Sequence, residues 1–346
     1  MVSASSPSSD RPIVVLKFGG TSVGTPDRMH TVADVIESIA DEARVVAVIS
    51  ALSKVTRHLS NALEQYTTRP DEQGEIWVDL RADLEARHRD HSAAVLSPAM
   101  HERYLGVLDA RLDQLRRIFD DLRRNGFSPA ARDSVLALGE QLSAPLLALL
   151  LRDRAVPVDL RDATEVMVTD ATFGEANVNL DATRDHVAAW QSEMKPDAVS
   201  VISGFIGRST DGRVTTLGFE GSDYSAALFA HMLDARCLTR FTNVDALYSD
   251  DPNTNADAER LDQLSMETAF ALTESGRLGM HPKTLRPLAK ARIPMQVRSI
   301  QTPDRPGTHI VPEGVSASVL IPSVSAPSPP AATVQRSVEA PDPQRG

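Results

Sequence analysis

Short apolar runs rich in β-branched residues alternate with helical segments along this chain, and this alternation constrains the fold more than any other feature. The run IVVLKF (13–18) is followed by a loop, by an amphipathic helical segment over about 27–40, and by a second run, VVAVIS (45–50). Apolar runs of this length indicate strands that are buried on both faces. A strand, helix, strand order predicts an α/β fold with a mainly parallel sheet.

A charge-rich segment interrupts this rhythm between residues 71 and 125. Leucines spaced three and four residues apart predict long helices there, so we interpret the segment as a helical insertion. His88 and His91 lie three residues apart within it. Because no further ligands are evident nearby, this pair predicts a solvated helix face rather than a metal site.

Composition at the two ends of the chain predicts the domain boundaries. Residues 1–11 are rich in Ser and Pro, and residues 313–346 are rich in Pro, Ser and Ala without sustained periodicity. Both segments are predicted to be disordered. A single folded domain is therefore expected over residues 12–312.

The overall charge and the cysteine content narrow the range of partners and compartments. The chain has 346 residues and a net charge of −11, without a basic stripe, which excludes nucleic acid as the main partner. Its single cysteine, Cys237, forms no intramolecular disulfide and suits a reducing compartment. The N-terminus lacks the apolar centre of a secretory signal. We therefore expect a cytoplasmic protein without a membrane partner.

Two strings have the composition of anion-binding loops. In KFGGTSVG, Lys17 lies inside a buried strand and is followed by Gly19 and Gly20, whose backbone N–H groups are able to approach an anion closely. In TTLGFEGSDYSAAL (215–228), a strand ends near a glycine and an apolar helix begins at Ser-Asp. The first turn of a helix has free N–H groups and a positive dipole end.

The string KFGGTSVG resembles the aspartate kinases of the amino-acid kinase family. Further matches follow in the family's order at SALSKVT (50–56), ALGEQLSA (137–144), the Gly-Ser-Asp string above and FTNVDALYSDDP (241–252). The resemblance covers about residues 12–311. It implies a three-layer α/β/α sandwich with a mainly parallel central sheet.

The resemblance also implies an activity. Aspartate kinases transfer the γ-phosphate of ATP, with Mg²⁺, to the β-carboxylate of L-aspartate, and the product, 4-phospho-L-aspartate, enters lysine, threonine and methionine biosynthesis. A carboxylate is already an anion at neutral pH, so the reaction needs no general base. The ACT regulatory region of the family has no match in this chain, so we expect no ACT-mediated feedback. A homodimer and a separate regulatory chain both stay open as partners.

By the same resemblance, Lys17 and Asp223 are the catalytic residues. Ser50, Thr56 and Glu140 are assigned to the amino-acid substrate, Glu140 to its ammonium group, and no residue is assigned to a metal. The nucleotide side is assigned to residues in the glycine loops and after a later strand: Gly19, Gly20, Gly218, Ser222, Thr242, Asn243 and Tyr248.

This sequence departs from the family pattern where the family usually has charged residues. Phe219 replaces an arginine that pairs with a substrate carboxylate, and Asn243 replaces an aspartate. Asn253 replaces a nucleotide-contacting arginine and Leu278 a phosphate-binding lysine, with Arg277 and Lys54 as candidate substitutes. Loss of one fixed cation typically costs several kcal/mol of catalysis. Two alternatives to an aspartate kinase therefore stay open: a catalytically weakened homologue that acts as a binding or regulatory subunit, and a kinase for another acidic amino acid.

Overall fold

A central sheet of eight strands organises the protein. The computed structural model describes residues 11–250, 254–255, 257–276 and 278–321. From one edge to the other, the strands are β11 (Gln263–Ser265), β13 (Thr308–Val311), β12 (Met295–Ser299), β8 (Cys237–Thr242), β1 (Ile13–Phe18), β2 (Arg44–Ile49), β5 (Val199–Ser203) and β3 (Val158–Arg161). Neighbouring strands are parallel except for the β12–β13 pair.

Smaller sheets and the helices complete the architecture. Three strands form a small sheet beside the main one: β4 (Val168–Thr169), β6 (Ile206–Ser209) and β7 (Val214–Thr216). Two further strands pair antiparallel, β9 (Leu247–Tyr248) and β10 (Arg260–Leu261). The helices are α1 (Pro26–Ala40), α2 (Val55–Thr68), α3 (Gln73–Val95), α4 (Pro98–Asn125), α5 (Pro129–Asp153), α6 (Leu180–Glu193), α7 (Gly221–Met232), α8 (Met266–Glu274) and α9 (Pro282–Ala291).

Strand β1 shows how the sheet separates two apolar cores. Val14, Leu16 and Phe18 pack into a core that is shared with α1 to α5. Ile13 and Val15 point to the opposite face, into a core shared mainly with α6 to α9. Since side chains alternate along a strand, Lys17 lies on the same face as Ile13 and Val15. The predicted three-layer α/β/α sandwich is confirmed. Lys17 lies on the face of the sheet that is covered mainly by α6 to α9.

The helical character predicted for residues 71–125 is confirmed, because α3 and α4 cover most of that segment. Leu108, Leu112, Leu115 and Phe119 form the buried face of α4. The next helix, α5, is long and apolar enough to cross a membrane by length and composition, yet 89% of its most apolar window is buried inside the fold. It is therefore a core helix, and Ser128 caps its N-terminus by accepting from the N–H of Ala131.

The folded chain continues beyond the predicted boundary at residue 312. Leu320 and Ile321 are 5% and 4% exposed and belong to the core on the α1 to α5 side. The Pro/Ser composition obscured this short apolar contact, so the boundary was placed too early. The prediction of disorder for the rest of the tail, 322–346, and for residues 1–10 lies outside the described residues.

The prediction of a solvated face for His88 and His91 is wrong. Both side chains are buried, at 0% and 7% exposure, because α3 packs against α1, α2 and α4. His88 donates from Nδ1 to the carbonyl of Leu84 at 2.8 Å. Burial lowers the pKa of each histidine to about 4, so both side chains are neutral at pH 7.

This burial makes the stability of the fold depend on pH. The folded pKa of His88 is about 4 against an ordinary 6.5, so its stabilising contribution is complete above 6.5 and is lost as the pH falls through 4. We expect His88→Met to reduce the loss of unfolding free energy between pH 7 and pH 5. Urea unfolding at both pH values measures the unfolding free energy, with the exposed His186→Met as the matched control. An unchanged pH dependence in His88→Met would contradict the assignment.

Candidate active site

Two cations lie side by side at the carboxyl end of the sheet. Strands β1 and β8 are parallel neighbours, and their register pairs Lys17 with Arg240. Paired residues in a parallel sheet direct their side chains to the same face, so both cations point toward α7. Lys17 is 7% exposed and the Arg240 side chain is 16% exposed. Charges this far from water need partners.

Asp223, in the first turn of α7, is the shared partner of both cations. Its Oδ1 lies 2.5 Å from Nζ of Lys17, and its Oδ2 lies 3.0 Å from Nε of Arg240. Burial opposes ionisation of this carboxyl, but Arg240 and Lys17 together outweigh it and hold the pKa of Asp223 below its ordinary value. The three side chains therefore carry two positive charges and one negative charge.

The loops around this cluster approach one another closely. They do so at glycines, which have no Cβ to obstruct the approach. A Cβ on Gly20 would lie 2.8 Å from the carbonyl oxygen of Ala51, which follows β2. A Cβ on Gly204, after β5, would lie 2.8 Å from Cβ of Ser222 and would push the start of α7 away. Glycine at these two positions therefore brings the β1 loop, the β2 loop and the N-terminus of α7 together.

Glu140 is the acidic group on the opposite wall. It lies in the buried middle of α5, at 3% exposure. Its Oε1 accepts from the N–H of Ala51 at 3.1 Å, while Oε2 has no hydrogen-bond partner among the described residues. Burial raises the pKa of Glu140 to about 8, although the Ala51 N–H and Lys17 act against the increase. The carboxyl is therefore largely protonated at pH 7, and a cationic group of a ligand beside its bare oxygen would favour the ionised form.

One cavity of about 920 Å³ connects these groups. Its walls come from the β1 and β2 loops, the start of α2, one face of α5, the turn at 174, and the loop that begins α7. Eight of the residues predicted from the sequence line it: Lys17, Gly20, Ser50, Thr56, Glu140, Gly218, Ser222 and Asp223. Gly19 does not line it but is adjacent, because a Cβ there would lie 3.4 Å from Nζ of Lys17.

The residues predicted for the nucleotide pocket after β8 do not line this cavity. Thr242 ends β8 and donates to Oδ1 of Asn243 at 3.2 Å. The hydroxyl of Tyr248 donates to Asp245 at 3.0 Å. They lie beyond the same carboxyl edge of the sheet, since β8 ends at Thr242. Asn253, the fourth position discussed for that side, lies outside the described residues.

Three arginines that the sequence analysis did not single out also line the cavity: Arg57, Arg132 and Arg240. Arg240 interrupts the apolar strand CLTRFT just as Lys17 interrupts IVVLKF. This shared pattern, a single cation in an apolar run, is the feature from which Arg240 could have been predicted as a site residue. Arg132 lies eight residues before Glu140, with Leu136 between them, and this spacing places all three on one face of α5. Lys54, named as a candidate substitute, is also in the lining.

The positions where the sequence departs from the family pattern differ in what surrounds them. Phe219 is 76% exposed and lines the cavity. Leu278 is 4% exposed and packs in the core on the α7 and α9 side, so its side chain is structural and does not face the cavity. A lysine placed at this position would bury an ammonium group in an apolar cluster. Arg277, the neighbouring candidate, lies outside the described residues.

Glu220 adds a second carboxylate beside the cation cluster. It has a left-handed backbone conformation with φ of 54°, immediately before α7. Its carboxylate accepts from the N–H of His281, which caps α9. Burial raises the pKa of Glu220, although Arg240 acts in the opposite direction. This contact joins the N-termini of α7 and α9 and places an acidic group at a helix end that otherwise attracts anions.

Comparison with known proteins agrees with this architecture. The model of the Amino acid kinase family matches residues 12–299. The match covers most of the chain, which therefore belongs to the amino acid kinase family.

Several relatives of the chain are aspartokinases. Lysine-sensitive aspartokinase 3 of Escherichia coli (strain K12) is 33% identical over 301 residues, covering 86% of this chain and 64% of the relative. Bifunctional aspartokinase/homoserine dehydrogenase 1 of Zea mays is 30% identical, covering 86% of this chain and 32% of the relative. The chain thus spans about a third to two thirds of these curated relatives.

A solved structure of E. coli aspartokinase III in complex with aspartate and ADP is also similar. It superposes with a TM-score of 0.78 at 30% identity, covering 88% of this chain and 65% of that one. The central sheet and its helices are therefore arranged similarly in the two structures.

The raised pKa of Glu140 makes a second prediction about pH. A carboxyl with a folded pKa of about 8 against an ordinary 4.5 contributes stability that is complete below 4.5 and is lost as the pH rises through 8. We expect Glu140→Gln to be more stable than the parent at pH 8, with a smaller difference at pH 5. Urea unfolding at the two pH values measures it, with the exposed helical Glu102→Gln as control. Equal stability changes at both pH values would show that Glu140 is ionised in the folded protein.

Proposed function

We propose that the chain is an aspartate kinase that transfers the γ-phosphate of ATP to the β-carboxylate of L-aspartate, giving 4-phospho-L-aspartate. The observation that carries the proposal is the charge distribution of one cavity. A bare carboxylate oxygen of Glu140 lies on one wall, and the Lys17–Asp223–Arg240 cluster lies on the other. An amino acid that accepts a phosphoryl group has an ammonium group for the first wall and an anionic reacting group for the second.

The chemistry requires positioning and cations more than acid–base groups. The nucleophile is a carboxylate, which is ionised at neutral pH, so no side chain has to remove a proton. Two anions must approach each other, and charge develops on the transferred phosphoryl group. Lys17 and the N-terminus of α7 are fixed before the reaction, so they stabilise that charge without reorganising. Asp223 holds Lys17 in place.

Magnesium fits this site as an ion held by phosphates rather than by the protein. Both carboxylate oxygens of Asp223 face cations, so neither is free to ligate a metal directly. No group of three or more His, Cys, Asp or Glu side chains able to hold a metal ion occurs among the described residues. Mg²⁺ commonly keeps several waters and binds through substrate phosphates, where it neutralises negative charge.

The α-carboxylate of aspartate needs its own cation, and we assign this role to Arg132. Its guanidinium is on the same face of α5 as Glu140 and lines the same cavity. Nη1 lies 3.6 Å from Oδ1 of Asp133, a carboxylate fixed by the N–H groups of Gly174 and Thr216 at 2.8 Å each. This contact directs the guanidinium, whose forked N–H groups suit a carboxylate.

The binding-subunit alternative is favoured by two specific observations. Phe219 presents an aromatic ring to the cavity, and Glu220 places a carboxylate on the N–H of His281. Phe219 stands where a cation for the substrate carboxylate is expected, and Glu220 reduces the positive potential that an ATP phosphate would meet. A chain of this kind would bind an amino acid through Glu140 and turn over slowly. Turnover measurements separate the two functions.

The direct test is ATP turnover with a panel of amino acids. The purified chain is incubated with MgATP, hydroxylamine and either L-aspartate, L-glutamate or L-asparagine, and the hydroxamate formed from an acyl phosphate is measured. We expect product with L-aspartate, none with L-asparagine, and loss of product in Lys17→Met but not in the exposed control Lys195→Met. Product with L-glutamate alone would change the substrate. The absence of product with any acid, despite amino-acid binding, would favour the binding subunit.

Arg132 is expected to affect aspartate binding more than the chemical step. Removing one partner of a charge-assisted pair weakens binding, so Arg132→Met should raise KM for aspartate about tenfold or more while kcat falls less. The matched control is Arg103→Met, at an exposed position of α4. A fall in kcat with an unchanged KM for aspartate would exclude Arg132 from the α-carboxylate and would leave Arg57 or Lys54 as the candidates.

A further inference from the structure

Arg240 is a charged residue in the interior of the main sheet. Strand β8 lies between β1 and β12, and residue 240 pairs with Lys17 on one side and Val297 on the other. Its neighbour on the same face, Leu238, is fully packed in the apolar core, at 1% exposure. An arginine in such a position loses hydration, and this loss is unfavourable unless the charge is paired.

The contacts of Arg240 account for only part of its hydrogen-bonding capacity. Nε lies 3.0 Å from Oδ2 of Asp223, and Nη2 donates to the carbonyl of Gly279 at 3.4 Å. A guanidinium has five N–H groups in a planar fork, so further donors are available for a ligand. Arg240 also lines the cavity, which brings those donors within reach of what the cavity holds.

The charges around Asp223 also indicate that an anion binds here. Lys17 and Arg240 share this single carboxylate, and Lys17 lies on its other oxygen at 2.5 Å. One negative charge does not balance two positive charges. Glu220 is the other acid near Arg240 and opposes this excess, although its carboxylate accepts from the N–H of His281. Lys17 and Arg240 therefore keep one positive charge beyond what Asp223 balances, and an anion bound beside them would neutralise it.

We propose that Arg240 is a second phosphate-binding cation of this site, acting beside Lys17 on the phosphate chain of the nucleotide, including the phosphoryl group that is transferred. Asp223 holds the two cations in register, and the free donors of the guanidinium bind phosphate oxygens. Arginine suits phosphate oxygens because its planar fork forms two parallel hydrogen bonds. This inference rests on the proposed function and extends it to a residue in the strand itself.

The transfer step balances without a further reactant. An oxygen of the substrate carboxylate forms a bond to the γ-phosphorus, and the bond from that phosphorus to the β–γ bridging oxygen breaks. The bridging oxygen leaves with the electron pair on ADP, and no proton has to move. Arg240 forms no covalent bond and stabilises only the charge on the phosphoryl oxygens.

A structural role is the competing explanation, in which Arg240 only holds Asp223. The two roles predict different effects on binding. A phosphate-binding role affects the phosphate ligands alone, whereas a structural role affects phosphate and aspartate binding alike. We therefore compare the parent with Arg240→Met, Arg240→Lys and Arg236→Met by calorimetric titration of pyrophosphate, MgADP and L-aspartate. Arg236 is a half-buried arginine immediately before the opposite, amino-terminal end of β8, which makes it a matched control. Thermal unfolding of every variant shows whether the fold is intact.

We expect Arg240→Met to weaken pyrophosphate and MgADP binding about tenfold or more, because one fixed charge-assisted contact is lost. Arg240→Lys should bind both ligands at an intermediate strength, since it keeps the charge but loses the fork. Arg236→Met should stay within about twofold of the parent, and L-aspartate binding should stay within about twofold in all variants. The Arg240→Lys result keeps the test valid if Arg240→Met does not fold.

Two results would overturn the inference. One is parent-like pyrophosphate binding in Arg240→Met or, if that variant does not fold, in Arg240→Lys. The other is an equal loss of phosphate and aspartate binding in the folded variants, which indicates a structural role. The proposed function fails separately, if the parent binds MgADP and L-aspartate but forms no acyl phosphate. In that case an Arg240-dependent loss of pyrophosphate binding still supports the anion site.

Discussion

The buried carboxylate of Asp223, held between Lys17 and Arg240, is the interaction on which the rest of the site depends. It joins the middle strands of the sheet to the first turn of α7, with ion-pair distances of 2.5 and 3.0 Å. Removing one partner of a buried ion pair typically costs about 3–5 kcal/mol, because the other charge is left without compensation. Here one carboxylate has two partners, so the loss of either cation leaves it paired. The loss of Asp223 would leave two adjacent cations unpaired.

This arrangement gives the cavity two chemically different walls. The wall formed by the strands and α7 is cationic, and the wall formed by α5 carries the bare oxygen of Glu140. Phe219 and Glu220 are the features that oppose anion binding, one by lacking charge and the other by adding a carboxylate near the phosphate side. Whether the chain turns over rapidly therefore depends on whether Lys17, Arg240 and the helix N-terminus together exceed these opposing effects.

The sequence predicted the parts of this site that short strings encode. Lys17 and the glycine pair lie within eight residues, and Asp223 directly follows a glycine and a serine, so local composition was sufficient. Arg240 was missed because it meets Lys17 only through strand register, although more than 200 residues separate the two in the chain. A single charged residue in an apolar run gives no indication of which side chain it will meet.

Burial explains the other differences between sequence and structure. Leu278 was assigned to the phosphate side by its place in a motif, yet packing against α7 and α9 places its side chain in the core. His88 and His91 read as polar, but the packing of α3 between other helices buries them. Periodicity predicted the helices correctly, and only tertiary contacts determined which faces were covered.

In the proposed reaction, one cavity brings an amino-acid carboxylate to the γ-phosphate of ATP. Positional isotope exchange tests it most directly, using ATP with ¹⁸O in the β–γ bridge and ³¹P NMR to follow the label. If the carboxylate reversibly takes the phosphoryl group, the bridge opens and the label moves to a non-bridging β position only when L-aspartate is present. We expect aspartate-dependent exchange that is lost in Lys17→Met. If the label stays in the bridge while both ligands are bound, the chain does not transfer the phosphoryl group to aspartate, which contradicts the proposed function.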